Sequence, residues 1–310
     1  MNKQQRLKIV VLMGGGSAEH EISLLSGKQV IANLDRKKYQ AIPVVIPQNF
    51  SSSFKYSLPK CDLVFIAMHG PFGEDGTVQG MLDFMGIPYT GSKVLASALG
   101  IDKIAFRRIM ENLGIPVPKW VVCETSEKIP HKIEQFGPPW VVKPFNQGSS
   151  IGVNIVKERT GLKPAIKKAL KYSKMALIEE YLAGTEISCG VLGNEKPYSL
   201  PVIEICPKKT FFDYQAKYTK GLCEEIVPAR LPRELTKKIQ RTAVKVFRAI
   251  GCRGFGRVDM IIKEDTPYVL EINTIPGLTP NSLLPKEALA AGIDYPKLLD
   301  LIIGFTLSEK

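Results

Sequence analysis

Four side chains within residues 253–283 could do chemistry together: Arg257, Asp259, Glu271 and Asn273. Two β-rich runs, 256–262 and 268–273, flank the turn signal Lys263-Glu264-Asp265-Thr266-Pro267. The pattern predicts an antiparallel hairpin. With its turn centred near Asp265, Asp259 stands opposite Glu271 and Arg257 opposite Asn273. Alternate residues of a strand share a face, so these four project from one side. Val258, Met260, Ile262, Leu270 and Ile272 then point the other way, into a core. Two carboxylates facing each other across strands repel, and a cation between them reverses the sign. Oxygen donors without His or Cys suit Mg²⁺, which keeps waters and shares nucleotide phosphates. A solvated acidic face is the plain alternative, but apolar residues on both faces argue for a buried sheet and so for a metal.

Other segments carry groups that suit an anionic ligand. Residues 140–143, WVVK, form a strand that runs into the small-residue loop Asn146-Gln147-Gly148-Ser149-Ser150-Ile151-Gly152. Such a loop brings several backbone N–H groups onto phosphate oxygens, and Lys143 and Lys103 could add charge. Each lysine alone is an ordinary surface residue; their joint occurrence carries the argument. Glu179 and Glu186 sit in apolar surroundings and need partners there. Ribose hydroxyls, a nucleotide-bound metal or a lysine would each serve. His69 ends the apolar run 62–68, and Glu19, His20 and Glu21 follow Gly14-Gly15-Gly16-Ser17, with Ser17 able to cap a helix from about Ala18. Strand ends of open α/β sheets are where ligands bind. Acids there also pair simply with a helix dipole.

The elements that position these groups follow in order. Runs at 8–13, 41–46 and 62–68 predict strands of a doubly wound unit, with a helix near 77–84. The glycine spacing after the first run does not match G-x-G-x-x-G, so no dinucleotide site is indicated. Helices follow to Gly114, then strands at 120–123, 140–143 and 176–182, with an amphipathic helix over 160–173 between the last two. Residues 198–205 read as one strand. The polar segment 207–228 holds Phe211, Tyr214, Lys217, Tyr218 and Lys220, which suits a lid over an anionic ligand. A strong amphipathic helix at 231–250 precedes the hairpin, and 285–307 supplies two closing helices. Domain boundaries fall near 95 and 183, giving units 1–95, 96–183 and 184–310.

At 310 residues, with 45% hydrophobic and 23% charged residues, the chain is long enough for two or three cored domains. The net charge of +12 is spread out, without a basic aromatic strip, so no nucleic-acid partner is expected. Six cysteines show no C-x-x-C or zinc spacing and read as reduced thiols. No run reaches membrane-spanning length, and the apolar run 9–13 is too short for a signal peptide. A cytoplasmic protein with no membrane partner is expected.

The joint pattern resembles the D-alanine–D-alanine ligases of the ATP-grasp superfamily across nearly the whole chain. The carriers are GGGSAEHEIS (14–23), MHGPFGEDGTVQGMLD (68–83), Lys103, VKPFNQGSSIGV (142–153), IEEYLAGTE (178–186), FFDYQAKY (211–218), GRVDM (256–260) and LEINTIPGLTPNSLLP (270–285). Gln215 stands where the family often has Glu. The resemblance implies an α/β, three-domain ATP-grasp fold: an N-terminal doubly wound α/β domain and two α+β domains clasping ATP. It implies that ATP phosphorylates one D-alanine carboxylate and that the second amine attacks the acylphosphate, as a step of bacterial peptidoglycan precursor synthesis. By the same resemblance Lys103, Lys143 and Lys217 contact phosphates, with Phe211 against the adenine. Ser149, Ser150, Glu179, Glu180, Tyr181, Leu182 and Glu186 also surround the nucleotide. Asp259, Glu271 and Asn273 hold Mg²⁺, expected as two ions with Mn²⁺ a substitute. Arg257 and the Gly277 N–H face the tetrahedral oxyanion, and Glu19 and His69 line the first D-alanine site. Ser282, Leu283 and Lys217 serve the second, and Glu19, Ser149 and Tyr218 form a hydrogen-bonded triad that latches the lid. A homodimer is also implied. The competing readings are a D-alanine–D-lactate ligase, whose members tend to lack the tyrosine at Tyr218, and a non-catalytic ATP-binding module, which the intact Arg257, Asp259, Glu271 and Asn273 set opposes.

Overall fold

The computed structural model describes residues 6–49, 58–207 and 223–308. Strand β1 (Leu7–Gly14) is the middle of a three-stranded parallel sheet, ordered β2-β1-β3 with β2 (Tyr39–Ile46) and β3 (Leu63–Ile66). A parallel strand covered on both faces reads as an unbroken apolar run, which is what Ile9 to Met13 present. Helix α1 (His20–Asn33) makes the crossover from β1 to β2, and α2 (Thr77–Phe84) follows β3.

Helices α3 (Val94–Ile101) and α4 (Lys103–Asn112) lead into a four-stranded antiparallel sheet. Its order is β4-β7-β5-β6, with β4 (Trp120–Cys123), β5 (Trp140–Pro144), β6 (Asn154–Val156) and β7 (Ala176–Glu180). The helix expected over 160–173 is shorter: α5 runs Leu162–Ala169 after a 3₁₀ turn at Arg159–Gly161. At its other end the N–H groups of Lys171 and Tyr172 bond to the carbonyls of Lys168 and Ala169, the i to i+3 tightening by which a helix end satisfies its last carbonyls.

The third sheet has β8 (Thr185–Leu192), β9 (Tyr198–Ser199), β10 (Ile203–Pro207), β11 (Cys223–Ile226), β12 (Phe255–Lys263) and β13 (Thr266–Asn273). Its order is β11-β10-β8-β12-β13, with β9 paired to β8. The single strand expected over 198–205 is thus two, parted around Pro201, whose ring nitrogen has no proton for a ladder. Helix α6 (Arg233–Ala249) buries Ile239, Ala243, Val246 and Phe247 against this sheet, joined there by Phe106 and Met110 of α4. The final helices, α7 (Leu283–Ala290) and α8 (Tyr295–Leu307), return to the first sheet. Leu298, Leu299, Ile302 and Ile303 share one apolar cluster with Ile9, Leu12 and Phe65. Among the described residues no helix is long and apolar enough to cross a membrane.

The hairpin has the expected pairs, Asp259 with Glu271 and Arg257 with Asn273. Its turn lies at Glu264-Asp265, both left-handed (φ 50° and 55°), as a two-residue hairpin turn requires. That is half a residue before the expected centre, and an irregularity between Asp259 and Met260 restores the register. Leu270 is the extra residue of this bulge. It lines a cleft instead of the core, where Val269 takes its place with Val258, Met260, Ile262 and Ile272.

Candidate active site

A cleft of about 360 Å³ lies between the second and third sheets. Val141, Lys143 and Glu179 of β5 and β7 form one wall, and Glu186, Ile205, Asp259, Ile261, Leu270 and Glu271 the other. Glu180, Tyr181 and Leu182, where the chain passes from β7 towards β8, close one side, and Gln147, Ser150 and Ile151 another. The Tyr181 N–H donates to the Pro139 carbonyl at 3.0 Å, and Glu180 accepts the Lys119 N–H at 2.9 Å, which fixes this strap.

Two lysines reach the cleft from buried positions. Lys143 Nζ lies 2.7 Å from Glu179, and the same carboxylate accepts from Arg107. Burial alone would raise the Glu179 pKa, but Arg107 and Lys143 outweigh it and hold the carboxyl below its usual range. Burial also draws the Lys143 ammonium below its ordinary value against the pull of Glu179. The ion-pair reading left open for Glu179 is therefore the one its side chain adopts. Lys103 opens α4, capped by Asp102, whose Oδ1 accepts the N–H groups of Ile104 and Ala105. Its Nζ donates to the Gln147 carbonyl at 2.7 Å and lies 3.0 Å from Glu271. One ammonium thus ties helix, loop and hairpin together.

The loop after β5 meets the first sheet. Ser149 and Ser150 adopt left-handed backbone (φ 47° and 57°), which persists in non-glycine residues only where surroundings over-determine it. Here the Ser149 hydroxyl donates to Glu19, and a Cβ at Gly148 would lie 2.9 Å from Glu19 Oε2. Glu19 is buried at the start of α1, and its Oε2 has no hydrogen-bond partner among the described residues. Ser17 does not take the N-cap position expected of it, because α1 starts at His20 with Glu19 there; its hydroxyl accepts the Glu19 N–H at 3.1 Å and donates to the His69 carbonyl at 2.7 Å. His69 Nδ1 donates to the Ile275 carbonyl at 3.0 Å, with Glu74 3.5 Å away, and Nε2 lies 2.8 Å from the Ser26 hydroxyl. Burial lowers the His69 pKa, but the Glu74 hydrogen bond and charge outweigh it and set it above the usual value.

On the hairpin face Arg257 grips Asp259 at two points, Nε to Oδ1 at 2.8 Å and Nη2 to Oδ2 at 2.7 Å. Ser188 donates to Oδ1 at 2.7 Å and Asn273 Nδ2 to Oδ2 at 3.0 Å, so the amide oxygen of Asn273 is left for another role. Beyond the hairpin, Ser282 stands at the N-cap position of α7 without a side-chain cap bond, and its Oγ instead accepts the Thr279 N–H at 3.0 Å. A Cβ at Gly277 would lie 2.7 Å from that Oγ, so the hydroxyl sits close against the Gly277 backbone. Leu283 is the first residue of α7 and half-buried.

Sequence reasoning missed several groups. Arg107 lies one turn after Lys103 on α4, but a second like charge at that spacing gives no sign of its burial. Ser26 and Ser188 carried none. Glu287 on α7 is fully buried near Arg257 and Asp259, and burial pushes its pKa to about 8. Phe211, Gln215, Lys217 and Tyr218 lie outside the described residues.

Two antiparallel sheets closing on a cleft lined by lysines and carboxylates, beside an α/β unit with a buried acid, define a ligase of the ATP-grasp class. Profiles for the D-ala D-ala ligase C-terminus match residues 109–304, and those for its N-terminus match 8–54 and 47–92. The chain belongs to the D-alanine–D-alanine ligase family. It is 44% identical to the D-alanine–D-alanine ligase of Desulforudis audaxviator over 299 residues, covering 96% of this chain and 97% of that one. The Bacillus anthracis D-alanine–D-alanine ligase complexed with ATP superposes with a TM-score of 0.83 at 36% identity, over 97% of each chain. The VanG D-Ala:D-Ser ligase of Enterococcus faecalis gives 0.86 at 34% identity, over 97% of this chain and all of that one.

Proposed function

We propose that this enzyme uses ATP to join two D-alanines into D-alanyl-D-alanine through a D-alanyl phosphate, a step of peptidoglycan precursor synthesis. The observation that carries the reading is one cleft lined by buried Lys103 and Lys143 and by Asp259 and Glu271 of the hairpin, with the Ser149–Glu19 contact on the loop that supplies Gln147 and Ser150 to it. Lys103 and Lys143 bind nucleotide phosphates, joined from the lid by Lys217. Glu180, Tyr181 and Leu182 border the adenine with Phe211. Glu186 takes the ribose, and Glu179 holds Lys143 in place. Ser150 and the Ser149 backbone cover the transferred phosphate.

Asp259, Glu271 and Asn273 are the groups that would hold Mg²⁺, as two ions or replaced by Mn²⁺. Among the described residues no three His, Cys, Asp or Glu side chains cluster as a complete metal cage. Two carboxylates and an amide oxygen suit Mg²⁺, which draws its remaining ligands from phosphates and water. When bound, it neutralises charge on the phosphates. Glu19 Oε2 receives the ammonium of the first D-alanine, with His69 lining the same site; its lack of a partner among the described residues supports this. Arg257 and the Gly277 N–H receive the tetrahedral oxyanion. Ser282 and Leu283 position the second D-alanine with Lys217, and Tyr218 completes the Glu19–Ser149 latch over segment 207–228.

The three units are proposed as 1–95, 96–183 and 184–310, in a cytoplasmic homodimer. Exposed Phe84 and Met85 at the end of α2 and Leu95 on α3 support self-association, which sedimentation would read. The deciding assay is phosphate release from ATP with D-alanine alone, then with D-serine or D-lactate added, and the products separated by mass. Dipeptide from D-alanine alone supports the proposal. A mainly D-seryl or D-lactyl product would reassign the acceptor, and phosphate release indifferent to D-alanine would reject it.

A further inference from the structure

The carboxylate of Asp259 has about four lone-pair positions, and all four are taken. Arg257 Nε and Ser188 share Oδ1, and Arg257 Nη2 and Asn273 share Oδ2. A cation can use Asp259 only if a donor leaves. The guanidinium is the donor that must go, because it is itself a cation and covers both oxygens.

Where it goes is set by its neighbour across the sheet. Arg257 on β12 pairs with Gly190 on β8, and directly opposed residues point to the same face about 5 Å apart. Gly190 has no side chain to fill that place. Leu284 and Glu287, reaching down from α7, do so instead: a Cβ at Gly190 would lie 2.6 Å from Leu284 Cδ1 and 2.8 Å from Glu287 Oε2. Glu287 is 0% exposed, and neither carboxyl oxygen makes a hydrogen bond of good geometry among the described residues. The Gly190 backbone and the Arg257 charge both act on this carboxyl, and burial outweighs them. A buried acid without a partner is costly, so a second arrangement that supplies one is favoured.

We propose that Glu287 is a positioning residue for Arg257, receiving its guanidinium when Asp259 exchanges that contact for a metal ion. Asp259 is thereby freed as a ligand, and Arg257 is held by a new anchor on the side of the oxyanion it serves. The idea rests on the reading of Asp259 as a metal ligand. Gly190 is part of the same device, because any side chain there would block Glu287.

The test is Mn²⁺ affinity in the presence of ADP, read by electron paramagnetic resonance, alongside steady-state kinetics and thermal midpoints. Loss of an outer-shell partner typically costs 10- to 100-fold in metal affinity or activity, so Glu287→Gln is expected to weaken Mn²⁺ by about tenfold. It should lower kcat while leaving the D-alanine KM values unchanged, and Glu287→Asp should restore part of both losses. The thermal midpoint without metal should not fall, whereas a purely structural role would lower it and leave Mn²⁺ affinity untouched. Asp259→Asn separates the two ideas. If it abolishes Mn²⁺ binding while Glu287→Gln leaves affinity at the wild-type value, the metal reading stands and the Glu287 proposal is overturned. If Asp259→Asn binds Mn²⁺ as wild type does, both fall.

Discussion

Arg107 and Glu179, on α4 and β7, form an ion pair with the arginine wholly buried. Arg107 also donates to the Val269 carbonyl at 2.9 Å, binding α4 to the hairpin. Because Glu179 is shared with Lys143, Arg107 fixes a cleft lysine without touching the cleft itself. Arg107→Met leaves Glu179 with one cation in a buried site. Breaking such a pair from one side costs about 3–5 kcal/mol, which urea unfolding would read. A loss under about 1 kcal/mol would mean the network relaxes freely.

Glu271→Gln removes a carboxylate from the proposed metal face and the partner of Lys103 at 3.0 Å. Turnover is expected to drop by about 10- to 100-fold with a raised Mg²⁺ requirement, while circular dichroism stays that of the wild type. Unchanged turnover at limiting Mg²⁺ would remove Glu271 from the metal site.

Gly70 follows His69 with φ +73°, and a Cβ there would lie 2.5 Å from Glu19 Oε2. Gly70→Ala therefore adds left-handed strain of about 1–2 kcal/mol and crowds the oxygen proposed to take the first ammonium. The D-alanine KM should rise while ADP affinity, measured calorimetrically, stays put. Loss of ADP affinity instead would show that the first sheet and the nucleotide cleft are coupled.

Glu287 gives stability a pH dependence of defined sign. The unfolded chain ionises this group near 4.5 and the folded chain near about 8. Between those values the unfolded state binds fewer protons, so stability falls as pH rises. Its favourable contribution is complete below 4.5 and lost on passing through 8. In EDTA, Glu287→Gln should match wild type at pH 5 and exceed it by about 1 kcal/mol or more at pH 8.5. Parallel stability curves for the two proteins would exclude a protonated Glu287 in the fold.

The sequence revealed the hairpin face because period-two alternation and a turn signal fix which residues share a side. The bulge at Leu270 escaped it, since one extra residue and a shifted turn centre cancel in the register. Lys103 and Lys143 were visible as charges beside small-residue segments, whereas Arg107 looked like any helix-surface arginine. Its burial comes from α4 packing under β13, a contact between residues 162 positions apart that no local pattern encodes. Glu287 was hidden for the same reason: its slot exists only because Gly190 on another strand has no side chain. The split at Pro201 was legible in principle, as proline cannot donate to a ladder.

The first sheet closes its core with Leu298, Leu299, Ile302 and Ile303 of α8. During synthesis, β1 leaves the ribosome long before these residues and must wait for them before its apolar surroundings are complete. Domains usually fold in the order in which they are made, beginning at the N-terminus. Here the strands of the first sheet depend on a segment that follows both other sheets in the chain, so their apolar core can be complete only after those sheets have been made. A nascent chain stalled before α8 would leave that apolar surface exposed.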